Sequence, residues 1–168
     1  MGATPIVISR SVRRATSSSS LQHPCCSKAL CIQISDPVGA CIDHFRICRR
    51  RGAEAFAWGE NDCASTADRW VETVRGFSPM ARYGRHHANR QEAQDWLAEP
   101  GGIAIAFSRV MRAAGFKRTS EPKAGDLGLV IFDRRMCVAI HTGTFWFSRH
   151  EDGLVGAPLK NVWKAWAI

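Results

Sequence analysis

The sequence predicts an α+β fold, with helices in the first half of the folded body and an antiparallel sheet in the second. Three observations carry that expectation. Apolar residues recur at helical spacing between about residues 60 and 115, the period switches to strand alternation after Pro122, and the two patterns do not interleave. A chain of 168 residues with 45% apolar content buries one core, so one domain preceded by a tail is the expected organisation.

Residues 1 to about 40 read as a disordered tail, because Ser17 to Ser20 is low in complexity and Pro5, Pro24 and Pro37 interrupt any period. The domain is expected over 41–168. Cys41, Ile42, Phe45 and Cys48 share a helical face, predicting a short helix that runs into Arg49-Arg50-Arg51 and stops near Gly52. Asn61 and Asp62 are N-cap residues for a helix opening at Cys63, whose buried face carries Ala67, Trp70, Val71 and Val74 and which ends at Gly76. Phe77-Ser78-Pro79 through Tyr83-Gly84-Arg85-His86-His87 reads as a connecting loop, with the adjacent histidines solvated. Asn89 caps a helix bearing Ala93, Trp96 and Leu97 that stops at Pro100-Gly101-Gly102. The next helix carries Ile103, Phe107, Val110, Met111 and Ala114 and stops at Gly115.

Lys123-Ala124-Gly125-Asp126 is a turn into a strand over Leu127 to Phe132, and Asp133-Arg134-Arg135 joins it to a strand over Met136 to Thr142. Thr144 to Ser148 is expected as a third strand, His150 to Gly153 as a polar turn, and Val162 to Ile168 as a closing strand with Trp163 and Trp166 on a half-buried surface.

The formal charge is +8, but residues 1–51 hold eight basic side chains against Asp36 and Asp43, leaving 15 basic and 13 acidic residues for the rest. The body is nearly neutral, so no nucleic-acid partner is expected. Five of the seven cysteines lie in the first 50 residues at spacings that match no zinc pattern, and the odd total, the adjacent Cys25-Cys26 pair and the lack of a secretory h-region argue for reduced thiols in a reducing compartment. No apolar run approaches the roughly 20 residues of a membrane span. No cofactor is expected, and no metal: Cys63, Cys137 and His141 as an open zinc site is disfavoured by their separation along the chain's strand.

Cys63 and Asp62 form the chemical centre of the sequence. Unpaired N–H groups and aligned peptide dipoles at a helix start favour an anion, which predicts a depressed thiol pKa and a populated thiolate; the alternative is an inert thiol packed in the core. Strand alternation puts Cys137, Ala139 and His141 on one face and Val138 and Ile140 on the other. A Cys/His face across a helix that begins with a cysteine is the arrangement nucleophilic thiol catalysis requires, with His150 or Arg149 available to orient the base or the substrate.

Phe56-x-Trp58-Gly59 leading to Asp62-Cys63-Ala64-Ser65 resembles the nucleophile motif of the NlpC/P-sixty cysteine peptidases, papain-like enzymes that cut bacterial cell-wall stem peptides. Gly125-Asp126-Leu127 resembles the family's turn into its sheet, and Cys137-Val138-Ala139-Ile140-His141-Thr142-Gly143 its His-Val-Gly-Ile-x-x-Gly strand. The resemblance covers about residues 41–168 and is closest to a phage and prophage branch in which a Trp-Gly-x-x-Asp-Cys start, a Gly-Gly segment and an Ala-Trp ending recur, here as Gly101-Gly102 and Ala165-Trp166. It implies a papain-like NlpC-type fold, a place in tail assembly or cell-wall penetration, tail proteins or peptidoglycan stem peptides as partners, and a location in the bacterial cytoplasm before assembly or in the virion tail.

Two departures bear on activity. The family's catalytic histidine falls on Cys137, and the aromatic before its Trp-Gly, a Tyr in many active members, is Phe56. A thiol is a poor substitute for imidazole as a base. His141 lies on the same strand face but about 13 Å further along, and the third catalytic position falls on Arg149, beside His150. The expectation is therefore a degenerate thiol peptidase; the alternative is an active endopeptidase or amidase with Cys63 as nucleophile and His141 or His150 as base.

Overall fold

The computed structural model describes residues 56–168. The expected tail and the helix over 41–51 lie outside the described residues. Helix α1 (Cys63–Arg75) opens as the sequence predicts: Asp62 is its N-cap and its Oδ1 accepts the Ser65 N–H at 2.8 Å. It ends at Gly76, whose φ of 75° is the left-handed conformation that closes a helix at little cost only for glycine. Its buried face carries Ala67, Trp70 and Val71.

The segment expected as a loop contains a second helix, α2 (Pro79–Tyr83). Ser78 caps it through a 2.9 Å bond from Ala81 N–H, and Pro79 occupies a first-turn position where its missing N–H costs nothing. Asp68 of α1 holds this turn in place, accepting from Ser78 Oγ at 2.6 Å and from Met80 N–H at 2.8 Å. Helix α3 (Arg90–Leu97) is capped by Asn89, whose Oδ1 accepts from Glu92 N–H at 3.0 Å, while Glu92 Oε2 reaches back past the cap to accept from Ala88 N–H at 2.7 Å. Helix α4 (Gly102–Ala113) buries Ala106, Phe107, Val110 and Met111, close to the predicted stripe.

Six antiparallel strands follow: β1 (Arg118–Thr119), β2 (Leu127–Phe132), β3 (Arg135–His141), β4 (Trp146–His150), β5 (Gly153–Ala157) and β6 (Val162–Trp166), in the order β1-β6-β2-β3-β4-β5. The α+β class is as expected. The sheet departs from a plain meander because β6 returns to the free edge of β2, and β1 adds to β6. Asp133 and Arg134 both take positive φ, 45° and 61°, which makes the β2–β3 connection a two-residue hairpin matched to the strand twist. The third long strand runs two residues later than predicted, and β1 and β5 are additions. Trp163 is 46% exposed and Trp166 is 2% exposed, so the two do not share one half-buried surface.

The sheet has a different core on each face. Leu127, Leu129, Val138, Ile140, Phe147 and Trp166 pack with Ala67, Trp70 and Val71 of α1 and with Phe107 and Met111 of α4. The opposite face buries Val130, Ala139, Trp146, Ala157 and Ala165 against one another, with Cys137 packed at the edge of this cluster. Gly128 makes room for the Trp146 ring, since a Cβ there would lie 2.7 Å from it. Trp70 ties the layers together, its Nε1 donating to Gly125 O at 2.7 Å in the turn before β2. Asp126 closes that turn, accepting from Lys123 N–H at 2.7 Å and from Ile168 N–H at 3.0 Å.

Candidate active site around Cys63

Cys63 is the first residue of α1, and β3 crosses near its sulfur so that the backbone N–H groups of Val138 and Ala64 point at it. Those donors favour a thiolate. Burial nonetheless pushes the thiol up to about 12, reinforced by the thiol of Cys137 and the carboxylate of Asp62, both of which resist a second negative charge nearby. The expected depression of this pKa is therefore reversed. The helix start is as predicted, but desolvation outweighs what the dipole and two N–H groups supply.

Asp62 is 1% exposed and fully engaged. Its Oδ2 accepts from Gly59 N–H at 2.7 Å and meets His87 Nε2 at 2.7 Å, while Oδ1 holds Ser65 N–H. Burial alone raises a carboxyl pKa, but the bonds from His87, Ser65 and Gly59 prevail and hold Asp62 below its ordinary value. The bond to Asp62 raises His87, against burial acting the other way. The two side chains thus form an ion pair with 4% and 2% of their side-chain surfaces exposed.

His87 corrects the reading of His86-His87 as a solvated pair. His86 is exposed, whereas His87 is buried and its Nδ1 has no hydrogen-bond partner. Gly59 packs directly under this loop; a Cβ there would stand 2.5 Å from His87 O, and its φ is 81°. Asp62, Cys63 and His87 line one cavity of about 60 Å³, walled by Trp58, Trp96 and Val138 among others. That volume holds a few water molecules. Nothing in the spacing of residues 62 and 87 signals their pairing. The one local hint is Asn89, whose cap fixes His87 just outside a helix start.

The strand residues are placed differently. Cys137, Ala139 and His141 do share a face, as predicted, but it is the face turned away from the helix layer: Ala139 lies in the second core with Cys137 beside it, and His141 pairs in register with Trp146 of that core. The His141 ring meets Trp146 edge to face at 4.8 Å, and its Nδ1 accepts from Gly143 N–H at 3.0 Å. Burial lowers its pKa, partly offset by Asp126. Cys137 is also raised by burial, with a contact from Ser148 opposing the rise.

His150 ends β4 on the rim of a separate concavity of about 120 Å³ that also includes Cys137, Ser148 and Arg149. Its Nδ1 lies 3.1 Å from Asp152 Oδ2 and its Nε2 3.2 Å from an Arg135 nitrogen. The five sequence candidates therefore fall into two groups and a separate residue. Asp62 and Cys63 stand with His87 at the helix start, Cys137 and His150 share the second concavity, and His141 packs against Trp146. Among the described residues no group of three or more His, Cys, Asp or Glu side chains forms a metal-binding cluster, and no helix is long and apolar enough to cross a membrane.

The chain belongs to a family known as a domain of unknown function, DUF6950, whose model matches residues 44–168. No curated protein and no solved structure matches the chain.

Proposed function

We propose that this protein is a non-hydrolytic member of the papain-like NlpC class, of phage or prophage origin, that acts in tail assembly or cell-wall penetration through contacts rather than bond cleavage. The class is supported by the Trp58-Gly59 to Asp62-Cys63 motif at the start of α1, the Gly125-Asp126-Leu127 turn into β2, and the segregation of helices before an antiparallel sheet. The loss of hydrolysis is supported above all by the setting of Cys63, a half-buried thiol between α1 and β3 that desolvation, Cys137 and Asp62 push up to about 12. The strand that carries the base in the resembling family here turns Cys137 and His141 toward the opposite core. A neutral thiol is a weak nucleophile at physiological pH.

The test is hydrolysis of purified wall stem peptides by the full chain beside Cys63→Ala. Equal, background-level rates are expected. A second reading, an active thiol peptidase, is favoured by the presence of His87, oriented by Asp62, on the wall of the Cys63 cavity. Hydrolysis that disappears in both Cys63→Ala and His87→Gln would establish that reading instead.

A further inference from the structure

Helix α4 presents a different face to each of two hollows. Ile103, Ala106, Phe107 and Val110 border the Cys63 cavity, whereas Ile105, Arg109 and Arg112 line a separate open groove of about 380 Å³. Strand β1 supplies the facing wall. Arg118 pairs in register with Trp166, whose ring meets Phe107 of α4 edge to face at 5.3 Å, so Arg118 stands on the helix side of the sheet. Half-buried Phe116 and Trp166, 2% exposed, give the groove an apolar floor, and Ile105 leaves an exposed apolar side chain on its wall. Three guanidiniums surround this floor, and no acidic side chain lines the groove. Arg112 and Arg118 have no ion pair among the described residues, and Arg109 reaches Glu99, which already holds Arg85, at only 3.8 Å. Lys164 continues the cationic row two residues before Trp166 on the same face of β6. Desolvation and the Arg118 charge lower its pKa, in keeping with cations crowded together without an acid between them.

We propose that this groove docks an acidic segment of a partner protein, with an apolar side chain on the Phe116 and Trp166 floor and carboxylates on Arg109, Arg112 and Arg118. Guanidinium forks pair with carboxylates through two directed bonds, and an apolar floor with a cationic rim matches a segment that mixes acidic and apolar side chains. The chain's own first 51 residues are excluded as the occupant by charge, since they carry eight basic side chains against Asp36 and Asp43. A nucleic acid fits less well. The Trp166 ring is covered, one face of Phe116 is taken by Phe77 at 5.9 Å between ring centres, and the nearly neutral body offers no continued track for a phosphate backbone. The groove shares no lining residue with the Cys63 cavity, so the assignment stands whether or not Cys63 is inert.

The experiment is fluorescence anisotropy of a labelled peptide of glutamate and leucine, titrated with the full chain, beside the same peptide with lysine in place of glutamate and a labelled oligodeoxythymidylate. The expected result is saturable binding of the glutamate peptide that weakens as sodium chloride rises, and no binding of the lysine peptide. The double substitution Arg112→Glu and Arg118→Glu should weaken that binding at least about tenfold. Both arginines are exposed, so the double variant should keep the Tm of the unsubstituted chain, and Arg90→Glu, at the start of α3 outside the groove, should bind as before. Ile105→Ser should also weaken binding, by removing the apolar contact. Absence of glutamate-peptide binding, equal affinity in the double variant, or tighter binding of the oligonucleotide that the double variant loses would overturn the assignment. A dimer in sedimentation that the double variant abolishes would give the groove to a second copy and overturn it as well. Should the double variant not fold, Arg112→Gln alone decides by the same loss of affinity.

Discussion

His87 Nε2 and Asp62 Oδ2 meet at 2.7 Å across 25 residues of sequence, so the carboxylate that caps α1 also fastens the loop between α2 and α3 to the helix start. One buried carboxylate thereby joins three segments, because Gly59 N–H completes its coordination.

This ion pair predicts a stability profile with two limbs. Asp62 is held below its unfolded value of 3.8, so its contribution is present above that pH and is lost as pH falls through the lower folded value. His87 is held above its unfolded value of 6.5, so its contribution is complete below 6.5 and is lost as pH rises through the folded value. Tm measured across pH should be highest between these limits. His87→Gln should flatten the alkaline limb, and His87→Ala should cost about 3 kcal/mol near pH 6 by leaving Asp62 buried and unpaired. An alkaline limb unchanged in His87→Gln would mean that another group causes it.

The second core makes a steric prediction. Gly128→Ala places a methyl 2.7 Å from the Trp146 ring, with Val162 at 3.2 Å on another side, so chemical denaturation should show a loss of about 1–3 kcal/mol. Gly156→Ala, whose nearest neighbour is the Phe145 ring at 3.5 Å, is the matched control and should cost less.

Asp126 is 7% exposed and accepts two backbone N–H groups, one from the turn before β2 and one from Ile168. Asp126→Ala leaves both donors without their acceptor and should destabilise by about 2–3 kcal/mol. Amide exchange at Lys123 and Ile168 should accelerate in the variant beyond the global change. Protection equal to that of the unsubstituted chain would show that these bonds contribute little.

The helices were legible because their signals are local. Asp62 and Asn89 cap as their positions in the sequence indicate, and the stripe from Ile103 to Met111 at helical spacing buries much as predicted. The Pro79 helix leaves no periodic signal because five residues are too few to show one, although Ser78-Pro79 is a regular way to begin a helix. Strand β5 was hidden by Gly153 and Gly156, which weaken both alternation and β propensity.

The site was less legible for a different reason. Alternation along β3 tells which side chains keep company, and Cys137, Ala139 and His141 do. It does not tell which side of the sheet the helices cover, and that choice decides whether His141 approaches Cys63 or Trp146. The pairing of His87 with Asp62 is likewise a product of tertiary packing, as is the burial that reverses the expected shift at Cys63.

The most direct test of a non-hydrolytic Cys63 is the pH dependence of its alkylation in the folded full chain, read by mass spectrometry at the Cys63 peptide so that the other thiols do not interfere. With the thiol at about 12, the rate should keep climbing with pH well past the ordinary value of 9.0, without a plateau, and His87→Gln should leave the curve unchanged. A plateau reached near neutral pH and abolished by His87→Gln would contradict the account, because it would reveal a thiolate supported by imidazole and restore Cys63 as a nucleophile.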